Sequence, residues 1–173
     1  MDKFLKTIHE LTDIVGPSGR ESKVANYLKK NWNEYGEVKE DRLGNLSITV
    51  GNKGPHIAFS AHMDEVGFVI KYIDEKGFIS LNKLGGIPER VLSGQKILIL
   101  GNKGLIQGVF TTWPHHLTPD SEKYKVKPIG ECWVDVGVFS NKEAESIGLR
   151  VGDFGVYSRS WHVQGKTIFA NSL

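Results

Sequence analysis

A single cysteine, Cys132, rules out an internal disulfide and points to a reducing, cytoplasmic setting. It sits in the strand-like run Cys-Trp-Val-Asp-Val, where a small buried core residue is expected rather than a nucleophile. No run of five like charges occurs, and the net charge is only +2, with Lys and Arg spread among Asp and Glu. That argues against a nucleic-acid stripe and against a polybasic membrane patch. Long apolar runs are missing too. The longest are strand length, so none spans a bilayer as a helix. Met1-Asp2-Lys3 opens an amphipathic segment rather than a signal peptide. No Walker-type phosphate loop is present, and no Gly-x-Ser-x-Gly surrounds any serine. What remains is a soluble globular composition, 39% hydrophobic and 24% charged over 173 residues, enough for one ordinary domain or two small ones.

The pattern along the chain changes near residue 66. Before it, Phe4, Ile8, Leu11 and Val15 fall at helical spacing, which predicts an amphipathic helix over residues 2–15. Gly16-Pro17-Ser18-Gly19 breaks it. Ser18 and Glu21 form a Ser-x-x-Glu capping-box signature, predicting a second helix that runs to about Tyr35, buries Val24, Leu28, Trp32 and Tyr35, and ends at Gly36. Asp41-Arg42-Leu43-Gly44-Asn45 reads as a turn, followed by strands at 46–50 and 57–61 around Gly51-Asn52-Lys53-Gly54. Beyond residue 66 short β runs follow at 66–73, 78–81, 95–100, 105–110, 133–138 and 153–158, with glycine-rich turns between them. This density suggests a small barrel or sandwich. One helix interrupts it, capped by Ser140 and Glu143 and closed by Gly148. Gly-Asn-Lys-Gly recurs at 51 and 101 with different flanks, which is reused turn chemistry and not a repeat. The apolar run Ile168-Phe169-Ala170-Asn171-Ser172-Leu173 reads as a strand returning to the first unit.

His62-Met63-Asp64-Glu65, directly after the apolar run Ile57-Ala58-Phe59-Ser60-Ala61, is the most informative stretch. Neutral imidazole is the commonest protein ligand for zinc-like ions. An Asp two residues on leaves a strand on the same face as the His and can accept its other ring N–H. From the tetrapeptide alone, a metal ligand and a plain polar turn both stand open. The other candidates have structural explanations. His115-His116, adjacent in an extended chain, point to opposite faces and read as loop surface. His162 beside Trp161 reads as a partly buried or interface residue, and His9 and His56 have no evident partner in sequence. Asp74-Glu75, Glu143 and Glu145 fit turn and helix-start roles, and Ser18 and Ser140 fit caps.

Several blocks in order resemble the TET-type (tetrahedral) metallo-aminopeptidases. That family includes glutamyl and deblocking aminopeptidases and the frv-operon proteins, some once labelled endoglucanases. The blocks are Gly16-Pro17-Ser18-Gly19 with Glu21, Asp41-Arg42-Leu43-Gly44-Asn45, and Ala61-His62-Met63-Asp64-Glu65-Val66-Gly67. Gly85-Gly86-Ile87, Val91-Leu92-Ser93-Gly94-Gln95, Gly104-Leu105-Ile106-Gln107-Gly108-Val109, Asp135-Val136-Gly137 and residues 143–153 follow. The resemblance covers essentially the whole chain and corresponds to the family's N-terminal half. It implies an α/β fold: a partial peptidase-type domain, residues 1–66 and 164–173, with a small β-barrel dimerisation domain, residues 67–163, inserted into it. It implies that His62 is a ligand of one of two divalent metal ions, zinc or cobalt, and that Asp64 orients that His. The bridging Asp, the Glu base and the second His belong to family segments outside these residues. Asn171-Ser172-Leu173 resembles the stretch just before the family's bridging Asp, which favours a truncated chain over a natural half-length relative. The partners implied are a peptide substrate with a free N-terminus and copies of the chain itself, as a dimer through the barrel and a dodecamer in the full-length family. No nucleic acid and no membrane are expected. Two further readings stand beside this one: a half-length, non-catalytic oligomerisation or binding module and, more weakly, a glycan hydrolase. Glycosidases typically work with two carboxylates and no catalytic metal, which the His-x-Asp pair fits poorly.

Overall fold

The computed structural model describes residues 3–171 as an α/β chain of two compact units, one running up to Glu65 and the other from Val66 onward. In the first unit, helix α1 spans Lys3–Asp13 and helix α2 spans Ser22–Trp32. The predicted start of α1 at Asp2 lies outside the described residues. Thr12 is buried on α1 and Val15 just beyond it, while Phe4 stays exposed. Helix α2 starts later than its sequence signature implies. Its N-cap residue is Glu21, which makes no side-chain capping bond, and Ser18 is not a cap at all. Gly19 adopts φ +83°, a left-handed conformation that turns the chain before the helix begins. The Glu21 carboxylate accepts the Gly19 N–H at 2.6 Å rather than closing a capping box on Ser18. The helix also ends sooner, so Val24 and Ala25 are buried, Leu28 and Trp32 half-buried, and Tyr35 exposed.

Strands β1 (Val38–Glu40) and β2 (Leu46–Ile48) form an antiparallel ribbon with Val38 opposite Ile48. The sequence pattern missed β1, which is only three residues long. The turn between them is held by Asp41. One carboxylate oxygen accepts the N–H groups of Leu43 at 2.8 Å and Asn45 at 2.9 Å, and the other accepts the Asn45 side-chain amide at 2.8 Å. The strand predicted at 57–61 is not formed. A strand exists only where neighbours take up its backbone groups, and among the described residues none pairs with this run. Its apolar side chains are consequently open, with Ile57 78% and Phe59 95% exposed.

The second unit is a closed antiparallel barrel. Its strands are β3 (Gly67–Ile73), β4 (Ile79–Leu84), β5 (Lys96–Gly101), β6 (Gly104–Phe110), β7 (Trp133–Asp135) and β8 (Phe154–Tyr157). The order around the barrel is β3-β4-β7-β6-β5-β8, and β8 closes onto β3. Closure removes free strand edges. Alternation along each strand sends Phe68, Ile70, Ile79, Leu81, Ile97, Ile99 and Val134 inward. The rings of Phe68 and Phe110 meet at 5.2 Å. Helix α3 (Asn141–Ser146) caps as predicted, Ser140 Oγ accepting the Glu143 N–H at 3.2 Å. Beyond the barrel, β9 (Trp161–Gln164) and β10 (Thr167–Ala170) pair antiparallel as a hairpin. The strand predicted at 168–173 is thus paired with its own neighbour, and its last two residues, Ser172 and Leu173, lie outside the described residues.

Candidate metal centre

The candidate centre is built by two short segments of the first unit that hold each other. The Gly16 N–H donates to Glu65 Oε1 at 3.0 Å, and the Glu65 N–H donates to the Gly16 carbonyl at 3.0 Å. Pro17 pairs with Glu65 as an isolated parallel bridge, and the Ser18 N–H reaches the Glu65 carbonyl at 3.3 Å. A Cβ at position 16 would stand 2.7 Å from Val24 Cγ2, so any larger residue there would force the Val24 side chain to shift. The turn Gly-Pro-Ser-Gly is therefore a clamp on His62-Met63-Asp64-Glu65.

Within the clamp, His62 Nδ1 lies 2.9 Å from the Asp64 backbone carbonyl oxygen and 3.1 Å from Asp64 Oδ1. Both neighbours are acceptors, so in the neutral ring they favour the proton on Nδ1 and leave the lone pair on Nε2. The His62 side chain is 77% exposed and that of Asp64 38%. On the other side, Ser18 Oγ donates to Asp64 Oδ2 at 2.5 Å. That hydroxyl is the main cause that holds the Asp64 carboxyl below the usual carboxylate range; partial burial opposes it and the His62 charge reinforces it. A ligand imidazole with a free Nε2 and a carboxylate behind its Nδ1 is the arrangement by which proteins orient metal-binding histidines. The donor set fits one ligand and its supporting carboxylate, not a complete ion site. Among the described residues no group of three or more His, Cys, Asp or Glu side chains could hold an ion.

The remaining candidates are dispersed. His115 and His116 lie on an exposed 3-10 turn, His115–Leu117. His162 is exposed, its ring 6.3 Å from that of Phe169. His9 does have a partner in sequence, Asp13, whose Oδ2 lies 3.8 Å from Nε2, one helical turn on. Asp74 Oδ1 accepts the N–H groups of Lys76 and Phe78, a turn role. Cys132 is buried, and burial pushes its thiol pKa up, away from nucleophilic use. The residue that sequence reasoning missed is Ser18. Its Ser-x-x-Glu spacing pointed to a helix cap, and its actual partner lies 46 positions away.

The chain belongs to the M42 glutamyl aminopeptidase family, whose model matches residues 44–173. It is 35% identical over 160 residues to the glutamyl aminopeptidase of Lactococcus lactis, covering 88% of this chain and 44% of that protein. Among solved structures it resembles the TET aminopeptidase from a marine sediment archaeon of the Thaumarchaeota, at TM-score 0.88 and 34% identity over 95% of this chain and 47% of the other. It also resembles the Pyrococcus horikoshii TET1 peptidase, which can assemble into a tetrahedron or a large octahedral shell. There the TM-score is 0.81 and the identity 30%, over 91% of this chain and 47% of the other. The chain spans about half the length of the relatives it matches.

Proposed function

We propose that this chain is the N-terminal portion of a metal-dependent aminopeptidase that releases N-terminal residues from peptides. His62 supplies one ligand to a divalent ion, zinc or cobalt, and Asp64 orients it. The observation that carries this reading is the His62–Asp64 pair, with Nε2 left free, in a chain of the M42 family. A bound pair of ions would supply Lewis-acid chemistry, polarisation of the scissile carbonyl and activation of a water, with His62 as one of the ligands that hold them. The part played by these residues is narrower: His62 binds, Asp64 fixes its tautomer, and the Gly16–Ser18 turn holds both in place. Catalytic zinc takes about three protein ligands, and one is available here. The other ligands and the general base would come from the length of the relatives that this chain does not span. In the same reading, residues 1–66 and 164–173 contribute to the peptidase domain, and residues 67–163 form a barrel domain inserted into it. The unit boundary at Glu65 supports the first of these divisions, and the closed barrel beyond it supports a separate barrel domain; the described part of 164–173 belongs to the same compact unit as the barrel, where β10 pairs with β9. A single cysteine supports a cytoplasmic setting, and no helix among the described residues is long and apolar enough to cross a membrane.

Two expectations test the reading on the 173-residue chain. Calorimetric titration with zinc or cobalt should give no tight, stoichiometric pair of ions, and amino-acid p-nitroanilides should give no turnover. Turnover that survives repurification and vanishes in His62→Ala would sink the half-site reading.

A second reading, that the barrel unit is an assembly module, is favoured by its closure without help from the rest of the chain. Trp113 and Phe139 are exposed on this unit, and Trp133 and Trp161 are half-buried. Aromatic residues are enriched at interfaces. Homodimerisation through this unit predicts a discrete dimer by light scattering. Association through unpaired apolar backbone predicts polydisperse aggregates instead. A monodisperse monomer at tens of micromolar would defeat both.

A further inference from the structure

We propose that Ser18 is a positioning residue for His62, the third member of a hydroxyl–carboxylate–imidazole chain that presents Nε2 to a divalent cation. The proposal rests on the reading of His62 as a metal ligand. It adds that a residue on a different segment, 46 positions from Asp64, sets the orientation of that ligand.

The geometry divides the two oxygens of one carboxylate between two partners. Ser18 Oγ lies 2.5 Å from Asp64 Oδ2, and His62 Nδ1 lies 3.1 Å from Oδ1. The terminal torsion of an aspartate is broad and roughly two-fold. A carboxylate held only by an exposed imidazole would therefore swing freely. A second donor on its other oxygen removes that freedom and keeps Oδ1 against Nδ1.

The serine is itself fixed. Its N–H meets the Glu65 carbonyl, and the preceding residue, Pro17, is fully buried and bridged to Glu65. Gly16 and Glu65 exchange two further hydrogen bonds at 3.0 Å. The other role open to this hydroxyl is already ruled out. Helix α2 begins at Ser22 with Glu21 as N-cap residue and no side-chain cap bond. The Ser18 hydroxyl is thus spent on Asp64, and through it on His62. The hydrogen bond of Nδ1 itself goes to the Asp64 backbone carbonyl, at 2.9 Å, with the carboxylate oxygen Oδ1 beside it at 3.1 Å. Losing the carboxylate leaves that carbonyl as the single acceptor beside a water-exposed ring.

The test reads the His62 ring nitrogens directly, by long-range proton–nitrogen NMR on the 173-residue chain without metal, at a pH where the imidazole is neutral. The protein should show His62 mainly as the Nδ1–H tautomer. Ser18→Ala should move the tautomer ratio about fivefold toward Nε2–H, the size of effect that one net hydrogen bond confers. Ser18→Thr, which keeps the hydroxyl, should restore the ratio, and a loss of general packing would not be rescued in this way. Asp64→Asn separates the two levels of the reading. If Asp64→Asn shifts the ratio and Ser18→Ala leaves it unchanged, the role of Ser18 is overturned and that of Asp64 stands. If neither variant moves it, the orienting role of the carboxylate fails as well. Should Ser18→Ala lose the Val24 and Ala25 amide signals of the folded first unit, the unsubstituted chain decides. Its Ser18 α–β proton couplings must report one rotamer, and averaging over three would overturn the proposal.

Discussion

Asp41 is a residue whose chemistry can be read in isolation. It is solvent-exposed, yet its carboxylate accepts three N–H donors, from Leu43, from the Asn45 backbone and from the Asn45 side chain. The Asn45 side-chain amide is the first cause that lowers its pKa, followed by the backbone donors. All of these favour the charged form. A carboxyl whose folded pKa is lowered contributes stability above its unfolded pKa of about 3.9 and loses it as pH falls through the folded value. The turn joining β1 and β2 should therefore persist at neutral pH and open only in acid. Followed by NMR from about pH 6 to about pH 2, the Leu43 and Asn45 amides should shift with a midpoint below the ordinary aspartate value. In Asp41→Asn that acid transition should disappear from both amides. A midpoint at or above the ordinary value would refute the assignment.

At the scale of the element, two identical signatures had opposite outcomes. Ser140-Asn141-Lys142-Glu143 and Ser18-Gly19-Arg20-Glu21 both read as capping boxes. The first is one in substance: Ser140 Oγ accepts the Glu143 N–H, and the Glu143 carboxylate accepts the Phe139 N–H at 2.8 Å. The second is not, because a long-range partner outbids the local one. Asp64 takes the Ser18 hydroxyl, and Gly19 turns the chain away from a helical start. The strands of the barrel were legible because their periodicity is satisfied inside the unit. The run at 57–61 carried an equally good strand pattern, yet a strand needs neighbours that a local pattern does not contain. The His62–Asp64 pair was legible from spacing, whereas the clamp from Gly16 to Ser18 was not, since nothing local pairs residues so far apart. The difference between the two serines is measurable. Ser140→Ala should destabilise the barrel unit by about 1 kcal/mol, as loss of an N-cap does, and Ser140→Asp should largely restore it. The check is urea denaturation followed by the fluorescence of Trp133. An unchanged midpoint in Ser140→Ala would mean that α3 does not depend on its cap.

For the whole molecule, the two units differ in how completely each satisfies itself. The barrel closes on itself, each strand pairing with two neighbours, and Phe68, Ile79, Leu81, Ile97, Ile99 and Val134 are fully buried within it. The first unit has a three-residue ribbon, two helices and a core in which Val15, Val24 and Ala25 are the buried hydrophobics, while Phe59 is almost wholly exposed. Units this short gain little burial to offset their chain entropy. Stability should consequently be unequal along the chain, with the first unit opening at a lower free energy than the barrel. Native-state hydrogen exchange in rising denaturant gives the test residue by residue. The Val24 and Ala25 amides should lose protection well before those of Ile97 and Ile99, in two separate transitions rather than one. Residues 66–173 expressed alone should keep the protection of Ile97 and Ile99 at the level seen in the longer chain. Coincident transitions, or a barrel that melts once the first unit is removed, would show that the units fold as one cooperative body.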